Sequence, residues 1–270
     1  MKTQQQLIKE LNNYFYTIYK DYEVSPTETY NALLALLEYQ FALNDLDPAC
    51  YNITIHFCKQ MDKRVSARML PDSKYDDKYD IYLNPTYMKV ERPLDLSKHK
   101  KDLSKPEVDC RLIPNKLINK NKRNSCINNI LFFFTVASHE FQHIIQFETM
   151  PDLAAHSYQY LCTIDYSVKY FAHTKDKKCL KLLNRYYDIF QVMSIMEKDA
   201  DLNSYKIIVG LLETLINNTT DKNYIEFLSN CQDIVAYFLQ DRKIGWKNYA
   251  EEYKKVSRDL KKFYNLETPL

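Results

Sequence analysis

Residues 131–145, LFFFTVASHEFQHII, decide what this chain of 270 residues can be. The segment is apolar at the positions that would face a core, which predicts a buried helix. His139 and His143 are four residues apart, so on a helix both imidazoles lie on one face, one turn apart. Glu140 directly follows the first histidine. Because uncompensated burial of such groups is costly, a functional site is favoured over a polar stripe on an amphipathic helix.

This spacing suits a metal ion, because two imidazoles one turn apart can both reach it at about 2.0–2.1 Å. Glu140 would lie beside the ion, close enough to take a proton from a metal-bound water without being an obvious ligand. The ion lowers the pKa of that water toward about 7, and the carboxylate acts as general base. The segment therefore predicts one catalytic zinc with ligands His139 and His143 and the catalytic base Glu140.

A catalytic zinc also needs a third protein ligand and an open position for water. The sequence Glu197-Lys198-Asp199-Ala200-Asp201, inside a long helical pattern, places Glu197 and Asp201 on one helix face. Glu197 can complete a site of two histidines and one carboxylate, and Asp201 can accept the N–H of a ligand histidine. The alternative for both carboxylates is a solvated helix face. Four other downstream residues qualify as third ligand: Glu148, His156, Asp165 and His173.

Hydrophobic periodicity predicts an α+β fold. Two helices, residues 3–20 and a helix capped by Ser25-Pro26-Thr27-Glu28, precede a small sheet at about 52–84. An apolar helix to about residue 148 follows, and the remaining chain is helical. We therefore expect an N-terminal lobe, 1–148, and a helical C-terminal lobe, 149–270. The predicted strands are 52–57, 65–70 and 79–84, and the later helical patterns are 151–172, 177–217, 221–240 and 246–264.

Composition excludes several classes of function. The net charge of +2 indicates no general attraction to nucleic acid. With only two glycines, the chain has no Gly-rich phosphate loop, and none of its seven cysteines forms a Cys-x-x-Cys pair for a thiolate zinc site. No apolar run reaches the ~18 residues of a membrane span. The N-terminal sequence lacks a signal-peptide pattern, so a cytoplasmic location is predicted.

One stretch is strongly basic, with nine Lys and Arg residues between Lys98 and Arg123. Prolines interrupt it, which predicts a solvated surface loop. The alternative is a mobile flap or a surface for an acidic partner. Because aromatic residues are not interleaved with the charges, stacking on nucleic-acid bases is not indicated.

The two motifs together, HEFQH at 139–143 and EKDAD at 197–201, resemble the gluzincin group of zincin metallopeptidases. That group pairs an HExxH helix with a downstream helix that bears a glutamate ligand, often as ExxAD. The resemblance implies zinc ligands His139, His143 and Glu197, the base Glu140, and Asp201 behind the ligands. It also implies a zincin-like fold: a small twisted sheet whose edge strand lines the cleft, the active-site helix, and a helical second lobe.

Within that fold, residues 79–84 are the expected strand for pairing with an extended peptide. The predicted function is a zinc-dependent metallopeptidase that acts on peptide or protein substrates. The alternatives are a metal-dependent hydrolase of a non-peptide amide, and a zinc-binding regulatory or interaction protein on a zincin scaffold with little turnover. Many relatives have glycine where Gln142 stands. Five residues qualify as stabilisers of an oxyanion: His156, Tyr158, Tyr160, His173 and Tyr205.

Overall fold

The computed structural model describes residues 2–21, 24–58, 67–71, 78–84, 122–174 and 177–264. Its helices are α1 Gln4–Asp21, α2 Pro26–Ala42, α3 Lys122–Thr149, α4 Pro151–Thr174, α5 Lys177–Met193, α6 Ile195–Asn217 and α7 Lys222–Tyr264. Its strands are β1 Asn52–Phe57, β2 Ala67–Pro71 and β3 Lys78–Leu83. This mostly helical order with one small sheet confirms the α+β class. The predicted basic loop lies outside the described residues, except that Lys122 and Arg123 begin α3.

The start of α2 is set by local hydrogen bonds, as its sequence predicts. The Ser25 hydroxyl accepts from the Glu28 backbone N–H at 3.1 Å, and the Glu28 carboxylate accepts from the Ser25 N–H at 2.7 Å. Pro26 occupies the first helical turn, where its missing N–H costs nothing. A cap of this kind contributes about 1 kcal/mol.

The three strands are ordered β1–β3–β2, with β3 parallel to β1 and antiparallel to β2. The expectation that residues 79–84 pair with an extended peptide is therefore wrong, because β3 already has a strand on each side. The inward side chains of β3, Tyr79, Ile81 and Leu83, are all buried, as suits a central strand. Among the described strands, β2 lies at an edge and packs against α3. The alternation of polar and apolar residues within one strand does not determine which strands lie beside it. The strand order could therefore not be predicted from the sequence.

Two helix boundaries also differ from prediction. The predicted helix at 177–217 is two helices, because the chain leaves the helical conformation at Ser194, which follows α5 and serves as N-cap of α6. The patterns at 221–240 and 246–264 are one helix, α7, that continues through Gly245. Gly245 does not adopt a positive φ, so it does not break the helix. Packing against both α5 and α6 holds the 43-residue α7 together.

The main hydrophobic core surrounds α3 and draws on α1, α2, the sheet, α6 and the first half of α7. A second cluster joins α4, α5 and the C-terminal part of α7; it contains Ile164, Cys179, Leu183, Tyr186, Ile189, Val256 and Leu260. The main core takes residues from both sides of the predicted lobe boundary at 148–149, which coincides with the break between α3 and α4. The two-lobe division stays a prediction. None of the described helices has the length and apolar character needed to cross a membrane.

Candidate metal centre

The two motif histidines lie where α3 faces α6. Their rings are nearly perpendicular, with centroids 4.7 Å apart, and their Nε2 atoms are 3.0 Å apart. The side chains of His139 and His143 are 13% and 15% exposed, so both are largely removed from solvent. The i, i+4 spacing thus has the predicted consequence of bringing two imidazole nitrogens together on one face.

Glu197 brings a carboxylate from α6 to the same point. Its Oε2 lies 3.2 Å from the His139 Nε2, and its Oε1 lies 3.4 Å from the His143 Nε2. In a tetrahedral zinc site with bonds of about 2.0–2.1 Å, neighbouring ligand atoms are about 3.3 Å apart. The 3.0 Å between the two Nε2 atoms is close to that spacing, and each Nε2 atom has a different oxygen of Glu197 at a comparable distance. Among the described residues, this is the group of histidine and carboxylate side chains that could hold a metal ion.

The position of Glu197 depends on the break before α6. Glu197 is in the first turn of that helix, not in the middle of a longer one, and its N–H donates to the Ser194 hydroxyl at 3.2 Å. In a complete capping box its carboxylate would accept the Ser194 N–H, as Glu28 does for Ser25. That N–H instead donates to the Phe190 carbonyl at 2.9 Å. The Glu197 carboxylate is therefore left for the histidines.

Asp201 lies behind His139, as the motif predicts. Its Oδ1 is 2.9 Å from the His139 Nδ1, and its Oδ2 accepts from the Arg242 Nε at 2.5 Å. The Asp201 side chain is only 9% exposed, and a buried carboxylate is costly unless it is paired. Arg242 supplies that pairing from α7. The sequence carries no signal for Arg242, because it lies on another helix outside both motifs.

Gln146 lies behind His143 and was not predicted. Its side-chain Oε1 is 2.8 Å from the His143 Nδ1. Its Nε2 donates to the Met196 carbonyl at 2.9 Å and to an Asp199 carboxylate oxygen at 2.8 Å. The sequence feature that could have predicted Gln146 is its spacing, because a residue three positions after a helical histidine lies on the same face.

These contacts indicate which ring nitrogens carry hydrogen when the rings are neutral. The Nδ1 atoms of His139 and His143 each face an oxygen acceptor, from Asp201 and Gln146 respectively, so in each neutral ring Nδ1 is the donor. Both Nε2 atoms then present lone pairs toward each other and toward the Glu197 carboxylate. Three acceptors that converge in this way require a cation between them, either a metal ion or added protons.

The pKa values describe the metal-free site, in which added protons supply the positive charge between the three acceptors. Burial disfavours the charged imidazolium, but the carboxylates of Asp201 and Glu197 raise the pKa of His139 well above its usual value. The pKa of His143 is also raised, because Glu197 outweighs the effect of burial. Conversely, the histidines lower the pKa of Glu197 despite its burial. The pocket therefore favours a positive charge among these three groups.

Glu140 is buried beside this group and is 8% exposed. Burial raises its pKa, as does the charge of Glu197, whereas the two histidines lower it. A hydrogen bond from the Met69 backbone also lowers the pKa of Glu140. This contact brings edge strand β2 directly to the predicted base. A carboxylate whose pKa is raised toward neutrality is suited to receive a proton and release it again.

The other third-ligand candidates lie elsewhere. Glu148 accepts from the hydroxyls of Tyr51 and Tyr79, which ties the end of α3 to the sheet. On α4, His156 contacts the Asp152 carbonyl at 2.6 Å, Asp165 pairs with Lys169 at 2.6 Å, and His173 is exposed. None belongs to the group that could hold a metal ion.

Two of the proposed oxyanion stabilisers have identified surroundings. The Tyr160 hydroxyl contacts that of Tyr186 at 3.0 Å, and Tyr205 is buried in the main core. Tyr158 is 49% exposed on α4. The role of stabiliser stays a prediction without an assigned residue.

Gln142, where many gluzincins have glycine, belongs to a buried network that was not predicted. Its Oε1 accepts from the Gln40 Nε2 at 3.1 Å. The same nitrogen donates to the Ser138 carbonyl at 3.0 Å, and the Ser138 hydroxyl donates to the Gln40 Oε1 at 2.8 Å. These bonds attach α2 to α3 at the residues that directly precede each histidine.

No protein-family model, curated protein or solved structure matches this chain. The likeness to gluzincins therefore rests on the two motifs.

If the site holds zinc, Asp201→Asn is expected to weaken its binding about 10–100-fold, the usual cost of removing a group that orients a ligand histidine. The variant removes the charge that pairs with Arg242, and it can present an amide N–H to the His139 Nδ1. Competition with a chelating dye measures the affinity. Asp165→Asn, in an exposed ion pair on α4, is the matched control and should bind zinc like the wild type. Equal affinities for both variants would contradict the role given to Asp201.

Proposed function

We propose that this protein is a zinc-dependent metallopeptidase that hydrolyses peptide bonds. The observation that carries the proposal is the convergence of three acceptor atoms, from His139, His143 and Glu197, beside the buried carboxylate of Glu140. Two imidazoles and one carboxylate form a ligand set that catalytic zinc commonly takes, with a fourth position left for water or substrate. The donor chemistry and the separations both fit that ion.

In this proposal His139, His143 and Glu197 hold the ion, and Asp201 and Gln146 orient the two rings. When bound, zinc supplies a Lewis acid that polarises a carbonyl and makes water more acidic. The Glu140 carboxylate takes a proton from the attacking water as its oxygen bonds to the peptide carbon. Glu140 then gives that proton to the leaving amine as the C–N bond breaks.

A peptide substrate is supported by the position of β2. The backbone of Met69 lowers the pKa of Glu140, and β2 packs against α3, so this edge strand lies beside the proposed base. An extended chain that pairs with this edge would pass next to the base. A small non-peptide amide would make no comparable use of an edge strand.

The proposal is tested by purifying the protein, measuring its zinc content, and incubating it with a mixed peptide library analysed by mass spectrometry. We expect one zinc per chain and cleavage that a chelator abolishes and added zinc restores. A protein that takes up no stoichiometric zinc would refute the metal site. A protein that holds zinc but cleaves no peptide would refute the peptidase and favour a regulatory or interaction role.

Zinc affinity should fall as the pH is lowered. The pKa values of His139 and His143 are raised in the metal-free site, and a ligand imidazole must be neutral. As the pH is lowered, protons therefore begin to compete with zinc for the imidazole nitrogens at a pH higher than about 6.5, the ordinary histidine pKa. Titration calorimetry in buffers of different ionisation enthalpy should detect protons released on binding. A zinc affinity that stays constant as the pH is lowered to about 6.5 would contradict the raised pKa values.

A further inference from the structure

Gln146 connects the two helices that carry the metal ligands. Its side chain on α3 is fully buried, and its amide reaches the Met196 carbonyl and the Asp199 carboxylate on α6. Met196 directly precedes Glu197 in the chain. A single amide thus contacts the backbone next to one ligand and the ring of another, His143.

The orientation of this amide follows from its partners. The Met196 carbonyl can only accept hydrogen bonds, and the Asp199 carboxylate accepts as well, so both groups require the Gln146 N–H atoms. The Asp199 carboxylate also accepts from the Asn203 side-chain nitrogen at 3.0 Å, which helps to hold it in place. The remaining Gln146 atom, Oε1, must therefore face the His143 Nδ1, and that nitrogen must carry the hydrogen.

We infer that Gln146 is a positioning residue that keeps neutral His143 in the Nδ1–H tautomer, so that its Nε2 lone pair is available to a metal ion. The part of this inference that concerns zinc rests on the proposed function. Without Gln146, neutral His143 would gain by carrying its hydrogen on Nε2, because the Glu197 Oε1 lies 3.4 Å away as an acceptor. A hydrogen on Nε2 would occupy the ligand atom itself.

The chain offers a closely matched control in Gln40. Both glutamines are fully buried, and each amide nitrogen donates two hydrogen bonds while its oxygen accepts one. Gln40 contacts Ser138 and Gln142 of α3 but neither histidine. Methionine has a similar length with no donor and only a weak acceptor, so Gln146→Met and Gln40→Met remove equivalent bonds.

The test is ¹⁵N NMR of the histidine rings in metal-free protein at alkaline pH, where His143 is neutral. We expect the Nδ1–H tautomer in the wild type and in Gln40→Met, and the Nε2–H tautomer in Gln146→Met. Zinc affinity should be about 10–100-fold weaker for Gln146→Met than for Gln40→Met. A merely structural role would lower the stability of both variants without changing the tautomer.

The inference is overturned if wild-type His143 carries its hydrogen on Nε2, or if Gln146→Met retains the wild-type tautomer. Equal zinc affinities for the two methionine variants would overturn the part that concerns the metal. If Gln146→Met does not fold, the wild-type tautomer decides. Should the wild type bind no zinc, the proposed function fails, yet the metal-free spectrum still decides whether Gln146 sets the tautomer.

Discussion

Glu140→Gln is expected to retain zinc and to hydrolyse peptides about 10²–10⁴-fold more slowly than the wild type, the usual contribution of a general base. The amide has nearly the same shape as the carboxylate but cannot take a proton from water. Its oxygen can still accept the hydrogen bond from Met69. The proposed ligands His139, His143 and Glu197 are unchanged. Zinc content and the cleavage rate of a peptide selected from the library are measured on the same sample.

Glu148→Gln is the matched control for this change. Glu148 is also on α3, but its carboxylate is bound by Tyr51 and Tyr79 and is not part of the proposed metal site. This variant should keep both zinc and turnover. Wild-type activity in Glu140→Gln would eliminate Glu140 as the base. Loss of zinc from Glu148→Gln would reopen its candidacy as a ligand.

Glu197→Ala is expected to weaken zinc binding by more than about 100-fold, beyond the cost of removing an orienting group. The change deletes the proposed ligand on α6 and leaves the two histidines of α3, which are one helix turn apart. It also removes the carboxylate that raises the pKa of His143, so less zinc binding and less proton binding are both expected. Dye competition gives the affinity, and NMR titration of the metal-free protein gives the histidine pKa.

The control for this variant is Glu213→Ala, the same substitution at an exposed position of α6. It tests whether removing any carboxylate from this helix weakens metal binding simply because a negative charge is lost. Wild-type affinity is expected. If the two alanine variants bind zinc equally well, Glu197 is not a ligand and the proposed set of three is incorrect.

The site was more predictable than the sheet. Helical spacing places His139 beside His143 and Glu197 on the same face as Asp201, since both relations are local to one helix. The order of the strands depends instead on which surfaces pack together, and the alternation of polar and apolar residues in β3 does not predict that order. Arg242 reaches Asp201 from α7, and no local pattern indicates a contact between helices so far apart in the chain.

The junction between α5 and α6 shows a second limit. The sequence Ser194-Ile195-Met196-Glu197 has the form of a capping box, and so does Ser25-Pro26-Thr27-Glu28. Only the second closes its box, because the Ser194 N–H already has the Phe190 carbonyl as partner. Whether a glutamate serves its own helix or a neighbouring one is decided by contacts outside the four residues.

That junction also determines where the chain can change in length. The place of Glu197 is counted from Ser194, so residues gained or lost within α5 would leave it in the first turn of α6. One residue inserted between Ser194 and Glu197 would turn Ser194 by about 100° around the helix axis relative to Glu197, and its hydroxyl would no longer accept from the Glu197 N–H. Insertions on the α5 side of Ser194 are therefore compatible with this cap, whereas insertions over the next three residues remove it.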